Sequence, residues 1–179
     1  MLKMFSTQLA GLFKRIHEKD EFIFEDGARL LAQAAVGNGS IFIFGNKEME
    51  AVALEAIVGA EPFRYAKKSP DDVAEIKESD RAIVVSRFST DEEAVECAKA
   101  LMKLQVPFVA LATKMETSDE DLFDLADVAI NLQLTKGLLP DETGNRFGFP
   151  SVMAALFAYY GLKFTYDEIL AEYEDEEEK

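Results

Sequence analysis

The chain has 179 residues, 49% of them hydrophobic, which predicts one globular domain with a proper core. Its 34 acidic and 19 basic residues give a net charge of −15, which argues against nucleic acid or an anionic membrane as a partner bound through bulk charge. A single cysteine, Cys97, and a single histidine, His17, exclude an intrachain disulfide framework and leave little for a metal site. We therefore expect a cytoplasmic protein without a metal or a cofactor.

The first 36 residues predict two helices. Apolar residues recur at helical spacing between Leu2 and Ile16, and a second helix is expected from about Glu21 to Val36. The sequence Gly37-Asn38-Gly39 is a typical helix stop.

Strands and helices alternate after this point. Five strands are predicted, at Ser40–Phe44, Glu61–Tyr65, Arg81–Ser86, Pro107–Ala112 and Val128–Leu132. Because these strands are largely apolar and separated by helices, they predict a parallel sheet covered on both faces. The fold expected is a three-layer, doubly wound α/β structure of the flavodoxin or Rossmann kind, formed by residues 1–179 as one domain.

The C-terminal part predicts a helix over Pro150–Tyr160 that ends at Gly161, and a further helix that opens at Thr165. The acidic residues 172–179 are expected to fray into solvent. The long segment 134–149 carries Lys136 and Arg146, which suit an anion; the alternative is a solvated loop tip. Phe147 and Phe149 are expected to anchor that loop.

Candidate ligand residues follow the strands, since ligands of open parallel sheets bind beyond the carboxyl ends of the strands. The segments concerned are Gly45-Asn46-Lys47, Ser86–Thr90 and Thr113-Lys114. Hydroxyls, helix N-terminal amides and an arginine suit phosphate oxygens. An alternative for Ser89 is a capping box with Glu92, which needs no ligand.

Three motifs resemble those of SIS (sugar isomerase) domains. They are GNGSIFIFGN, IVVSRFSTDEEAVECAKAL and VPFVALAT, within about residues 20–132, and GLLPDETGNRFGFPS resembles a divergent, uncharacterised Gram-positive branch. The resemblance, strongest to phosphoheptose isomerases, implies a flavodoxin-like SIS fold with a five-stranded sheet, a sugar-phosphate ligand and a homodimer. The ligand contacts it implies, together with the strand-end pattern, are Gly45, Asn46, Lys47, Ser86, Arg87, Ser89 and Thr90.

The chain departs from the family pattern at several positions. Met49 replaces the serine that follows the first strand, Phe88 replaces the second serine of the next motif, and a one-residue shift would let Ser89 and Thr90 serve instead. The family's catalytic glutamate aligns near Val58 and Gly59, and its C-terminal histidine has no counterpart.

The remaining candidates for a catalytic base are Glu48, Glu50, Glu55 and, from a partner subunit, His17. On a helix, most such carboxylates are simply solvated. Cys97 is expected to pack as a small hydrophobe. Two functions follow: a phosphoheptose-isomerase-like aldose/ketose phosphate isomerase, or a non-catalytic sugar-phosphate sensor or scaffold with a degenerate site. A nucleotide-binding function ranks lower because G-x-G-x-x-G and Walker motifs are absent.

Overall fold

The structure, a computed structural model, describes residues 1–20, 22–70 and 72–177. Helices α1 (Leu2–Glu18) and α2 (Ile23–Val36) precede the first strand, as predicted. Glu21, the expected start of the second helix, lies outside the described residues. In the described residues, no helix is both long and apolar enough to cross a membrane.

Five parallel strands form one sheet in the order β2-β1-β3-β4-β5. They are β1 (Ile41–Gly45), β2 (Ala66–Lys68), β3 (Arg81–Phe88), β4 (Phe108–Thr113) and β5 (Val128–Asn131). The connecting helices are α3 (Glu50–Val58), α4 (Glu92–Lys103) and α5 (Leu122–Leu125). The predicted doubly wound, flavodoxin-like fold is confirmed.

Alternate residues of the strands enter two separate cores, because successive side chains of a strand point to opposite faces. Ile83 and Val85 face the core shared with α1, α2, α3 and the last helix, α6 (Ser151–Glu177). Ala82 and Val84 face the core shared with α4 and α5. Both faces of the sheet are therefore covered, which explains why its strands have continuous apolar sequences.

The prediction for the second strand was wrong. Residues 61–65 precede β2, and their strongest apolar signal, Phe63, is a core anchor that stacks on Tyr166 with ring centroids 4.5 Å apart. Tyr65 has a left-handed backbone (φ 65°), which ends that segment before the strand begins. β2 itself is a short edge strand of Ala-Lys-Lys, whose exposed lysines conceal it in the sequence.

The capping box considered for Ser89 and Glu92 would start a helix at Ser89, and that start was also wrong. β3 continues to Phe88, and the helix begins at Glu92 after Asp91 as its N-cap residue. The hydroxyl of Ser89 donates to Asp121 at 2.6 Å, so it does not form the expected capping box.

The predicted break at Gly161 does not exist, because α6 is continuous from Ser151 to Glu177. A Cβ at Gly161 would lie 2.7 Å from Phe24 Cε1, so this glycine lets α2 approach α6 closely. The acidic segment is helical through Glu177, contrary to the expected fraying, and Glu174 forms an ion pair with Arg64.

The segment expected to be one long loop contains a two-stranded antiparallel hairpin. Its strands are β6 (Leu139–Pro140) and β7 (Arg146–Phe147). Arg146 donates to the carbonyl oxygens of Gly137 and Leu138 at 2.9 and 2.8 Å, so its guanidinium braces the base of the hairpin. Phe149 packs edge-on against Phe88, with centroids 5.9 Å apart, as expected of an anchor. Phe147, the other predicted anchor, is exposed on β7.

Candidate functional site

A cleft lies where the strand order reverses between β1 and β3, the usual ligand position of a doubly wound sheet. This main cleft has a volume of about 600 Å³. Its lining comes from the turn after β1, the end of β3 and the start of α6: Glu48, Arg87, Phe88, Phe149, Pro150, Ser151, Val152 and Met153. The cleft therefore joins three elements that are distant in sequence.

Glu48 is the centre of a polar cluster in the main cleft. Its Oε1 accepts a hydrogen bond from Arg87 Nε at 2.6 Å and another from Ser151 Oγ at 3.2 Å. The Arg87 side chain is 42% exposed, and among the described residues its two Nη groups have no protein acceptor within hydrogen-bond distance. The cluster thus presents a carboxylate and a partly free guanidinium to the same space.

The ion pair changes the proton affinity of both groups. The hydrogen bond from Arg87 lowers the pKa of Glu48, with a smaller contribution from Ser151. The same bond raises the pKa of Arg87. Glu48 is therefore an ionised carboxylate near neutral pH and a weak base.

A second, smaller pocket of about 130 Å³ shares the Glu48–Arg87 pair with the main cleft as part of its lining. It is lined by Asn46, Lys47, Glu48, Arg87, Asp91, Glu92 and Glu93. The N-cap residue Asp91 does not bond the amides of α4; it accepts from Ser86 Oγ at 2.6 Å and from the Phe88 amide at 3.1 Å. The strand-end donors expected for a phosphate are therefore engaged by a carboxylate of the protein itself.

The turn after β1 brings Lys47 and Glu48 to these pockets. A Cβ at Gly45 would lie 2.3 Å from the carbonyl oxygen of Met49, so only glycine allows the 3₁₀ turn Lys47–Met49 to fold back on the strand. Lys47 is exposed and left-handed (φ 54°), whereas Met49 is fully buried. Met49, at the position of the family's serine, is thus a core residue.

Ser89 belongs to a buried network beside the site. Its side chain is fully buried, donates to Asp121 and accepts from the Met115 amide at 3.0 Å. Lys114 Nζ lies 2.8 Å from both oxygens of Asp121. Burial alone would raise the pKa of Asp121, but the hydrogen bonds from Lys114 and Ser89 outweigh it and hold that pKa below its usual range.

The other predicted site residues lie outside the main cleft. Thr90 and Glu50 are exposed, and His17 is exposed near the end of α1. Glu55 accepts a hydrogen bond from Tyr160 at 2.6 Å, toward α6. In the described residues, no group of three or more His, Cys, Asp or Glu side chains is placed to hold a metal ion.

A family model described as a domain of unknown function, DUF2529, matches residues 1–170. The chain belongs to this DUF2529 family. The uncharacterized protein YwjG of Bacillus subtilis (strain 168) is 42% identical over 173 residues, which cover 97% of this chain and 99% of YwjG.

Solved structures with related folds confirm the predicted SIS resemblance at the level of the fold. The Vibrio vulnificus NanR protein complexed with ManNAc-6P has a TM-score of 0.70 at 16% identity, covering 95% of this chain and 63% of NanR. The phosphoheptose isomerase GmhA from Neisseria gonorrhoeae has a TM-score of 0.63 at 14% identity, covering 93% of this chain and 99% of GmhA.

Two parts of the site in this DUF2529 protein were not found from its sequence. Ser151 was expected only near a helix start, yet it contacts Glu48, 103 positions earlier in the chain. Asp91 was not considered, although an acidic residue directly after Ser-Thr and before a helix is a typical N-cap signal.

Proposed function

We propose that the protein binds a sugar phosphate in the main cleft without isomerising it. The observation that carries this proposal is the guanidinium of Arg87, which faces the cleft and donates only its Nε to Glu48 among the described residues. Arginine binds phosphate oxygens through paired, charge-assisted hydrogen bonds. The fold supports the proposal, since NanR was solved with ManNAc-6P and GmhA is a phosphoheptose isomerase.

The first turn of α6 supplies the second half of the proposed phosphate site. Ser151, Val152 and Met153 line the cleft, and the first amides of a helix have no partners within that helix. The Ser151 amide donates to the Phe149 carbonyl oxygen at 3.0 Å, so the amides proposed for the phosphate are those of Val152 and Met153. Those amides and the helix dipole favour an anion at this end. Lys47 and Asn46, which line the smaller pocket together with Glu48 and Arg87, are proposed to add donors at the rim.

The rest of the cleft suits the sugar. Glu48 accepts hydrogen bonds, and the rings of Phe88 and Phe149 form an apolar wall for the carbon face of a sugar. The Ser151 hydroxyl donates to Glu48 at 3.2 Å and is proposed only as an acceptor for a sugar hydroxyl. We do not include Ser86 and Ser89 among the proposed contacts, because their hydroxyls already donate to Asp91 and Asp121.

An isomerase is the second candidate, and the position of Glu48 favours it. An aldose–ketose isomerisation needs a base beside C1 and C2 of the sugar, and the Glu48 carboxylate lies in the cleft. The lowered pKa of Glu48 makes it a poor base, which is why we rank a binding role first.

Calorimetric titration with sugar phosphates, sedoheptulose 7-phosphate among them, tests the proposal. We expect saturable binding of at least one phosphate, none of the matching free sugar, and strong weakening by Arg87→Ala. Arg29→Ala is the matched control, because Arg29 is 61% exposed, pairs with Glu25 on α2 and does not line the main cleft. Binding that survives Arg87→Ala would contradict the proposed site, and turnover of a bound phosphate would favour the isomerase.

We further propose a cytoplasmic homodimer. The dimer is supported by two exposed apolar side chains at the start of α1, those of Leu2 and Met4, because exposed apolar patches mark interaction surfaces. Light scattering after gel filtration should give twice the mass of one chain, and a monomer at all concentrations would contradict the dimer.

A further inference from the structure

A separate pocket lies at the same edge of the sheet, beyond β4 and β5. This β5 pocket has a volume of about 290 Å³ and shares no lining residue with the main cleft. It is lined by Ile16, Lys19, Asp20, Ile23, Lys114, Phe123, Ala129, Ile130, Asn131 and Gln133. Half of these residues are apolar, and polar groups are concentrated at the strand ends.

Gln133 carries a buried donor with no acceptor. Its side-chain Nε2 is buried and has no hydrogen-bond partner among the described residues. Leaving such a group unpaired is unfavourable, because it gives up its hydrogen bond to water and gains none in the protein. The residue also has a left-handed backbone (φ 58°), a conformation that is unfavourable for residues other than glycine. Gln133 itself is only half-buried, so a rotation of its side-chain amide toward the pocket would let an acceptor brought by a ligand satisfy this donor.

Asn131 is oriented to provide a second donor. Its Oδ1 accepts from the backbone amides of Lys114 and Gln133 at 3.3 and 2.9 Å. This fixes the side-chain oxygen toward the backbone and leaves Nδ2 to donate elsewhere. Two neutral amide donors therefore stand beside an apolar wall.

The charged groups around the β5 pocket offset one another. Lys114 Nζ is held 2.8 Å from Asp121 and 3.8 Å from Asp124, and it lies 5.4 Å from the centre of the Phe123 ring. Lys19 and Asp20, which also line the pocket, carry opposite charges. The pocket thus offers an ion no unbalanced partner, whereas Arg87 in the main cleft, although paired with Glu48, keeps its Nη groups without a protein acceptor among the described residues.

We propose that the β5 pocket binds a neutral small molecule with an apolar body and a carbonyl oxygen. The carbonyl oxygen accepts from Gln133 Nε2 and Asn131 Nδ2, and the apolar body lies against Ile16, Ile23 and Phe123. A flat aromatic amide is the simplest molecule of this class, and it differs from the charged ligand proposed for the main cleft.

The test is an NMR titration of the ¹⁵N-labelled full chain with benzamide, benzoate and benzylamine, which share one apolar body. The side-chain amide signals of Gln133 and Asn131 are the reporters. We expect saturable shifts of both signals with benzamide, and weaker binding of the anion and the cation. Gln133→Gly removes the amide and suits the left-handed backbone, so that variant should fold; its affinity should fall by about tenfold.

Gln105→Gly is the matched control, because Gln105 is an exposed glutamine with the same left-handed backbone (φ 57°) after α4. Its affinity for benzamide should equal that of the wild type. The proposal is overturned if benzamide causes no saturable shift at Gln133, if benzoate binds as tightly, or if Gln133→Gly binds like the wild type. Shifts confined to residues around Arg87 would also overturn it.

Discussion

Ser89→Ala tests whether this hydroxyl holds the fold together or contacts a ligand. In the structure it donates to Asp121 at 2.6 Å and accepts from the Met115 amide at 3.0 Å. Losing a hydrogen bond to an ionised group costs about 1.5–3 kcal/mol, and the Met115 amide is left without its acceptor at about 1 kcal/mol or more. We therefore expect a loss of about 2–4 kcal/mol in the free energy of unfolding.

Urea unfolding followed by circular dichroism measures this loss, with Thr90→Ala as the matched control. Thr90 is the next residue and is exposed, so its hydroxyl should contribute less than about 0.5 kcal/mol. A double-mutant cycle with Asp121→Asn should show strong coupling with Ser89→Ala and little with Thr90→Ala. Wild-type stability of Ser89→Ala together with a selective loss of sugar-phosphate affinity would refute the structural role.

Further predictions concern backbone packing and proton affinity. Gly45→Ala should lower the free energy of unfolding by about 1–3 kcal/mol, because its Cβ would lie 2.3 Å from Met49 O. Gly11→Ala on α1, where the Cβ would meet only the Arg15 side chain at an ordinary 3.6 Å, is the comparison for urea unfolding. The pKa of Glu48 is lower in the folded protein than its ordinary value of 4.5. The ionised Glu48 therefore makes its full contribution to the free energy of unfolding above pH 4.5, and that contribution is lost as the pH falls through the lower folded-state pKa. The stability difference between wild type and Glu48→Gln should therefore shrink below about pH 4.5, and a difference that grows there would be contrary. Burial raises the pKa of the Cys97 thiol to about 11, so iodoacetamide at pH 8 should label it slowly in the folded protein and quickly in urea; equal rates would contradict this.

The sheet and most of its helices were predictable because they depend on local apolar patterns. β1, β3, β4 and β5 lie within two residues of their predicted bounds, since buried parallel strands have continuous apolar sequences. β2 was misplaced because an exposed edge strand lacks a continuous apolar sequence. The buried, apolar Phe63 led to a predicted strand that starts five residues before β2.

The errors at Gly161 and Ser89 have one cause, which is that tertiary contacts override local signals. Gly161 resembles a helix stop, yet its missing side chain makes room for Phe24 of another helix. Ser89 has capping-box spacing with Glu92, yet its hydroxyl bonds Asp121, 32 positions later. No local pattern contains either partner.

The candidate site was predictable only in its position. The edge of the sheet, Lys47, Glu48 and Arg87 followed from the strand ends and the family resemblance. The pairing of Glu48 with Arg87 and Ser151 depends on how the turn after β1, the end of β3 and the start of α6 pack together. Sequence spacing does not contain that information.

A crystal structure with a bound sugar phosphate tests the central claim most directly. We predict phosphate oxygens within hydrogen-bond distance of the Arg87 Nη groups and the first amides of α6, with the sugar between Glu48 and the rings of Phe88 and Phe149. A phosphate held instead by Ser86, Ser89 and Thr90, or an empty main cleft at a saturating concentration of a sugar phosphate that binds in solution, would contradict the account.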